Sequence, residues 1–334
     1  MNRESNLDLL RVFCCIAVIV EHACDVFINE AKLVGGGYLC IAATLSYFAI
    51  PCFLMLTGAF IDKRIENIPI FYKKNFVKLG FPTLVFSVLY SIWYILLAAK
   101  SGNATAGLQN VAKYWKTGWL GHPLWYMYML VGLYAIIPIV QKTVSETKTN
   151  TLAISIIFCI WSVISSYTST ATVTYNLGGD VMFLSYVIMG YAIKSTFNGK
   201  NKKLAIILIV SGILLLNVNG LLVHYCLQND LNWRTWGNNF SPFVMLGSIL
   251  IFAGFCKIEY THDVKLAKYT FIIYLFHKGV LEVVQHIVSR GLPSEHTISV
   301  IFVVVVFEVI LVFCVSLIFS IIYSKTLKLI KRNR

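Results

Sequence analysis

Charge is what this sequence has least of. Only 13% of its 334 residues are Asp, Glu, Lys or Arg, about half the share of an ordinary soluble domain. With 58% hydrophobic residues and a mean hydropathy of +0.74, a water-soluble fold is excluded. Acidic residues are scarcer still, 15 against 28 Lys and Arg, for a net charge of +13. That balance invites a nucleic-acid partner, but the cations concentrate in alternate loops, as membrane topology requires. No nucleic-acid role is therefore inferred. There is no CxxC and the nine cysteines are an odd number within apolar sequence, so neither a disulfide framework nor a metal site is indicated. The cysteines read as small core residues. The N-terminal apolar run holds charges and is followed by no A-x-A cleavage site, unlike a signal peptide.

What is present is a series of long apolar runs. Ten spans are expected, at about 7–27, 39–61, 76–98, 123–141, 151–168, 178–195, 204–224, 240–256, 267–288 and 297–323. Twenty of the 28 cations fall in one set of alternating segments and six in the other, which predicts both termini in the cytoplasm. The fold class expected is all-α: a polytopic helix bundle of about ten transmembrane helices, one integral-membrane domain over 1–334, in the cytoplasmic membrane with the lipid bilayer as its surroundings.

The first span, LDLLRVFCCIAVIVEHACDVF, carries Asp8, Arg11, Glu21, His22 and Asp25. Ionisable groups inside a span are costly and usually face a protein interior or a wet cavity. Arg11 and His22 are eleven residues apart, so they share a helix face about 16 Å apart along the axis. Each has an ordinary reading: an Arg near a span end snorkels to headgroups, and a buried His often only packs. Together, with Asp25 one turn beyond His22 and able to fix its tautomer, they point to a site running through the membrane.

Other polar residues lie within apolar sequence. Thr57-Gly58 in the second span has the small size that lets helix backbones approach. Lys73, Lys74 and Lys78 cluster before the third span; Lys74 and Lys78 share a helix face and suit a polyanion such as the phosphates of coenzyme A. Asp180 sits near the outer end of the sixth span. Lys278, Glu282 and His286 are spaced four apart and would form a charge ladder on one helix. Glu308 is expected to face the bundle interior. The loops at 99–122, with Trp115, Trp119 and His122, and at 225–239 are aromatic, as an interfacial belt or a sugar-binding rim would be.

These residues resemble the acyltransferase-3 family of bacterial membrane O-acyltransferases over nearly the whole chain. The resemblance rests on Arg and His separated by ten residues in the first span, here Arg11 and His22, and on PCFLMLTG with Thr57 where the family has serine. It rests also on LWYMYMLVGLYAIIP around Trp125, Tyr134 and Pro138, and on YTFIIYLFH ending in His277. Where the family often carries two arginines three apart, this chain has Asn75 and Lys78. The resemblance implies transfer of an acyl group, usually acetyl, from cytoplasmic acyl-CoA to a hydroxyl of a cell-surface or lipid-linked glycan. The candidate catalytic residues are then His22, Arg11 and Asp25, and the donor would be bound by Arg11, Lys74 and Lys78. Acetyl-CoA, or another acyl-CoA, is the donor expected, with no metal. The same buried charges would also serve a proton-coupled transporter or exporter of a glycan or small amino acid.

Overall fold

The structure, a computed structural model, describes residues 4–27, 36–61, 67–117, 124–146, 150–168, 181–197, 199–291 and 297–332. Asp180, Trp119 and His122 lie outside them. Among the described residues the regular structure is helical. In chain order the helices are α1 (Ser5–Asp25), α2 (Gly37–Ser46), α3 (Ala49–Ala59), α4 (Ile68–Asn75), α5 (Phe81–Lys100), α6 (Ala104–Thr117), α7 (Leu124–Glu146), α8 (Thr151–Thr168), α9 (Leu184–Thr196), α10 (Lys202–Gln228), α11 (Pro242–Lys257), α12 (Thr270–Gly291) and α13 (Ile298–Arg332).

Among the described residues, six of the ten expected spans are long and apolar enough to cross a membrane: Gly37–Ala59, Ile68–Lys100, Leu124–Thr143, Lys202–Gln228, Thr270–Ser289 and Ile298–Thr326. The other four correspond to α1, α8, α9 and α11. Helices α8 and α11 are apolar but shorter, α9 has 13 residues, and α1 is rich in charge. The second expected span is broken at Tyr47–Phe48 into α2 and α3. The segment expected as a loop at 99–122 contains, among the described residues, a helix, α6, packed on α5 with Trp115 Nε1 donating to Ser91 Oγ at 3.0 Å.

Helix α1 occupies the centre. It packs against α2, α3, α11, α12 and α13, and thirteen of its 21 residues are buried. A span with this much charge belongs there, because protein partners rather than lipid meet its polar groups. Asn6 Nδ2 donates to Phe255 O at 2.8 Å, Asp8 pairs with Arg11, and Glu4 just before the helix pairs with Lys194. The outer helices show the opposite pattern. Ile207 and Leu214 on α10 and Val303, Phe307 and Ile310 on α13 are exposed, as side chains in contact with acyl tails are.

Close backbone approach locks α3 to α9. A Cβ added at Gly58 would lie 1.8 Å from Val187 O, and one at Gly190 would lie 2.1 Å from Met55 O. The packing role read for Thr57-Gly58 is thus the one that Gly58 performs. Eight of the nine cysteines are buried and all are free thiols.

Two polar residues of the late spans settle differently. Glu308 is buried, 1% exposed, and Gln285 Nε2 donates to its Oε2 at 3.4 Å. Glu282, by contrast, does not join the ladder expected with Lys278 and His286. It accepts from Trp93 Nε1 at 3.1 Å and Tyr94 OH at 2.9 Å on α5. Two donors held ready on a neighbouring helix satisfy a carboxylate without taking an ammonium out of water, which is the cheaper arrangement in apolar surroundings.

Candidate active site

The sequence around Lys74 and Lys78 folds in an unusual way. Asn67 caps α4, its side-chain oxygen accepting from Ile70 N–H at 3.0 Å, with Pro69 in the first turn. The chain then passes through a π-turn, Phe76–Gly80, in which Phe81 N–H donates to Phe76 O, before α5 begins. Single π-turns inside helices recur at functional sites. This one carries Lys78 and Leu79 to the wall of a cavity of about 1110 Å³ at the N-terminal end of α1.

Arg11 from α1, Lys74 from α4 and Lys78 from the π-turn all line that cavity, as do Asn75 and Lys268. Its carboxylates are Glu4 and Asp8, each already paired, with Lys194 and Arg11 respectively. The wall is therefore cationic. Asp8 holds one end of the Arg11 fork, and a guanidinium has five N–H donors, so donors remain for a ligand. Asn75 donates its amide to Phe71 O at 2.9 Å.

The far wall is aromatic. Phe53, Tyr126 and Tyr274 line the cavity and contact one another, with Tyr126 and Tyr274 centroids 5.4 Å apart and Phe53 at 6.2 and 6.4 Å from them. Behind this trio lie two histidines. His277 is fully buried, its ring 5.5 Å from that of Tyr274 and stacked on His22 at 5.5 Å and 20°. His22 Nδ1 is 3.3 Å from Asp25 Oδ2.

Tautomers follow from the partners. The carbonyl of Tyr274 can only accept, so His277 Nδ1, 2.6 Å away, carries the hydrogen and Nε2 the lone pair. That buried Nε2 has no hydrogen-bond partner among the described residues. In neutral His22 a hydrogen on Nδ1, donated to Asp25, likewise leaves Nε2 as the acceptor.

The backbone of α12 is adapted next to His277. Gly279 N–H donates to Tyr90 OH at 3.0 Å, and that hydroxyl donates to Leu275 O at 3.1 Å. These are the two groups an α-helix would join directly, so the tyrosine hydroxyl is inserted into the helix ladder.

A family model described as an acyltransferase domain matches residues 4–325. The chain belongs to the acyltransferase-3 family. No curated protein and no solved structure matches it. As a family member it is a membrane acyltransferase.

Within this acyltransferase the site residues expected from sequence form two groups. Arg11, Lys74 and Lys78 share one cavity. His22 and Asp25 sit together but do not line it. Ring contacts connect the two groups: Tyr274, which lines the cavity with Phe53 and Tyr126, has its ring 5.5 Å from that of His277, and His277 stacks on His22. Of the family patterns, Thr57 and Tyr134 line the cavity, and His277 stacks on His22. Sequence reading missed Phe53, Tyr126, Tyr274 and Lys268 as lining residues. Phe53, Tyr126 and Tyr274 fall inside the patterns PCFLMLTG, LWYMYMLVGLYAIIP and YTFIIYLFH, the signal that could have found them, whereas Lys268 has none, since basic residues at span ends are common.

Proposed function

We propose that this acyltransferase takes an acetyl group from acetyl-CoA on the cytoplasmic side and places it on a hydroxyl of a cell-surface or lipid-linked glycan. It would sit in the cytoplasmic membrane with both termini inside, where the positive-inside bias puts them. The observation that carries the reading is the convergence of Arg11, Lys74 and Lys78 on one cavity at one end of α1, whose other end holds the His22–Asp25 pair.

In this reading the cations bind the phosphates of coenzyme A, Arg11 as a fork and the lysines as point charges. The pantetheine arm extends along α1 toward His22, past the rings of Phe53, Tyr126 and Tyr274 on the cavity wall. His22 Nε2 takes the proton of the acceptor hydroxyl as its oxygen attacks the thioester carbonyl. The new C–O bond forms, the C–S bond breaks, and the proton passes to the departing thiolate, leaving an ester and free coenzyme A thiol. Asp25 holds the His22 ring and stabilises the imidazolium.

The test uses membranes containing the full chain and acetyl-CoA labelled in the acetyl group. Label should appear on glycolipid or polymer. His22→Ala should lower transfer by about 10²–10⁴-fold with insertion unchanged. A normal rate in that variant overturns the base assignment. Movement of a substrate across the membrane with no label transferred overturns the enzyme in favour of the exporter.

A further inference from the structure

A second cavity, of about 550 Å³, lies apart from the first, between the start of α10 and the end of α11. Its size falls in the range of small-ligand pockets, about 300–1,000 Å³. It has a polar end and an apolar end. At the polar end are Lys200, Lys202, Lys257, Thr261 and one carboxylate, Glu259; at the apolar end are Ile206 and Ile209.

The lysines are placed in distinct ways. Lys257 is only 9% exposed, and its Nζ lies 5.2 Å from the centre of the Phe197 ring. Burial of an ammonium to this degree exceeds what the charge bias of a loop requires, since a loop lysine turns into water. Lys200 Nζ donates to Cys256 O at 2.9 Å, which caps the end of α11 and holds the ammonium at the cavity. Lys202 opens α10, whose side-chain cap is Asn201. The positive end of that helix dipole adds to the three ammonium groups.

The apolar end continues onto the bilayer-facing stripe of α10. Ile206 is 52% exposed, and Val210 and Ile213 follow it on the same face, also exposed. A ligand with an anionic head and a hydrocarbon chain matches both ends at once; a free phosphate would leave the stripe unused. The cavity is at the same end of the bundle as Glu4 and Lys194, the end that the charge bias assigns to the cytoplasmic leaflet, where anionic lipids favour basic pockets.

We propose that this cavity binds the phosphodiester headgroup of an anionic phospholipid, with Lys200, Lys202 and Lys257 around the phosphate and an acyl chain along Ile206, Val210 and Ile213. The site is independent of acyl transfer and of coenzyme A.

The experiment is a native mass-spectrometric titration of the purified full chain from detergent micelles with phosphatidylglycerol, phosphatidylcholine or inorganic phosphate. Phosphatidylglycerol should bind tightly, phosphatidylcholine weakly, and inorganic phosphate should not displace the lipid. The double variant Lys200→Gln/Lys202→Gln should weaken phosphatidylglycerol binding about thirty-fold, as expected for two lysines near an anionic surface. The pair Lys74→Gln/Lys78→Gln, in the first cavity, should bind the lipid as the parent does, as should Lys113→Gln/Lys116→Gln on α6. Three results overturn the proposal: equal binding of both lipids, displacement of the lipid by inorganic phosphate, or a loss confined to or shared equally by either control pair.

Discussion

Lys78→Gln is the sharpest probe of the cationic cavity. Lys78 lines it from the π-turn, is exposed, and makes no ion pair among the described residues. Its removal therefore leaves no orphaned carboxylate behind. Arg11→Ala would be less clean, because Asp8, whose side chain is 9% exposed, would lose the guanidinium it pairs with. A hydrogen bond to a charged group is worth about 1.5–3 kcal/mol. An exposed lysine is screened by solvent and salt, so the lower end applies, about 1.5 kcal/mol or roughly tenfold in affinity. KM for acetyl-CoA should rise about tenfold with kcat unchanged, since a phosphate far from the reacting carbonyl is held equally in ground and transition states. Lys78→Arg should restore KM. At 1 M salt, where the Debye length is about 3 Å, parent and variant should converge. The measurement is initial-rate kinetics of label transfer in membranes at two salt concentrations. An unchanged KM in Lys78→Gln, or a fall in kcat alone, refutes the donor role of this cavity.

Gly58→Ala should destabilise the bundle by about 1–3 kcal/mol or more, since overpacking cannot be relieved by rotating a side chain when the obstacle is the Val187 carbonyl. Gly132→Ala, with nothing within 4 Å of the added Cβ, is the control, and equal thermal midpoints in detergent would contradict the packing argument. Tyr90→Phe should lower the midpoint by the cost of an unmade buried hydrogen bond, about 1–3 kcal/mol, because Gly279 N–H and Leu275 O both lose the hydroxyl; an unchanged midpoint would mean that the ladder closes on itself. His277→Ala removes the ring stacked on His22 and should reduce kcat about 10²-fold through misplacement of the base, with KM for acetyl-CoA unchanged. A full kcat would show that His277 only fills space.

The first helix was the most legible part of the chain. Its apolar length, its charges and the eleven-residue spacing of Arg11 and His22 are local properties of a helix, and each could be read from the chain. The pairing of His22 with Asp25 is local in the same way, three residues along one face. The Lys74 and Lys78 cluster was visible as charge, although the π-turn that presents it was not, because nothing in FVKLG announces an i→i+5 bond. The Lys278–Glu282–His286 ladder shows where local reasoning stops. Spacing offered Glu282 the partners Lys278 and His286, and a distant helix offered Trp93 and Tyr94 instead.

The sequence by itself determined that this is a helical membrane protein, which helix is too polar to face lipid, and that Arg11 and His22 share one face of it. Tertiary structure alone decided that His277 lies on His22, that Phe53, Tyr126 and Tyr274 gather on the wall of the cationic cavity, and that Gly58 lets two backbones touch. Periodicity fixes which residues share a face of one helix. Which faces meet depends on how all the helices pack at once, and in a bundle where nearly every helix is apolar the pattern of one segment does not name its neighbour.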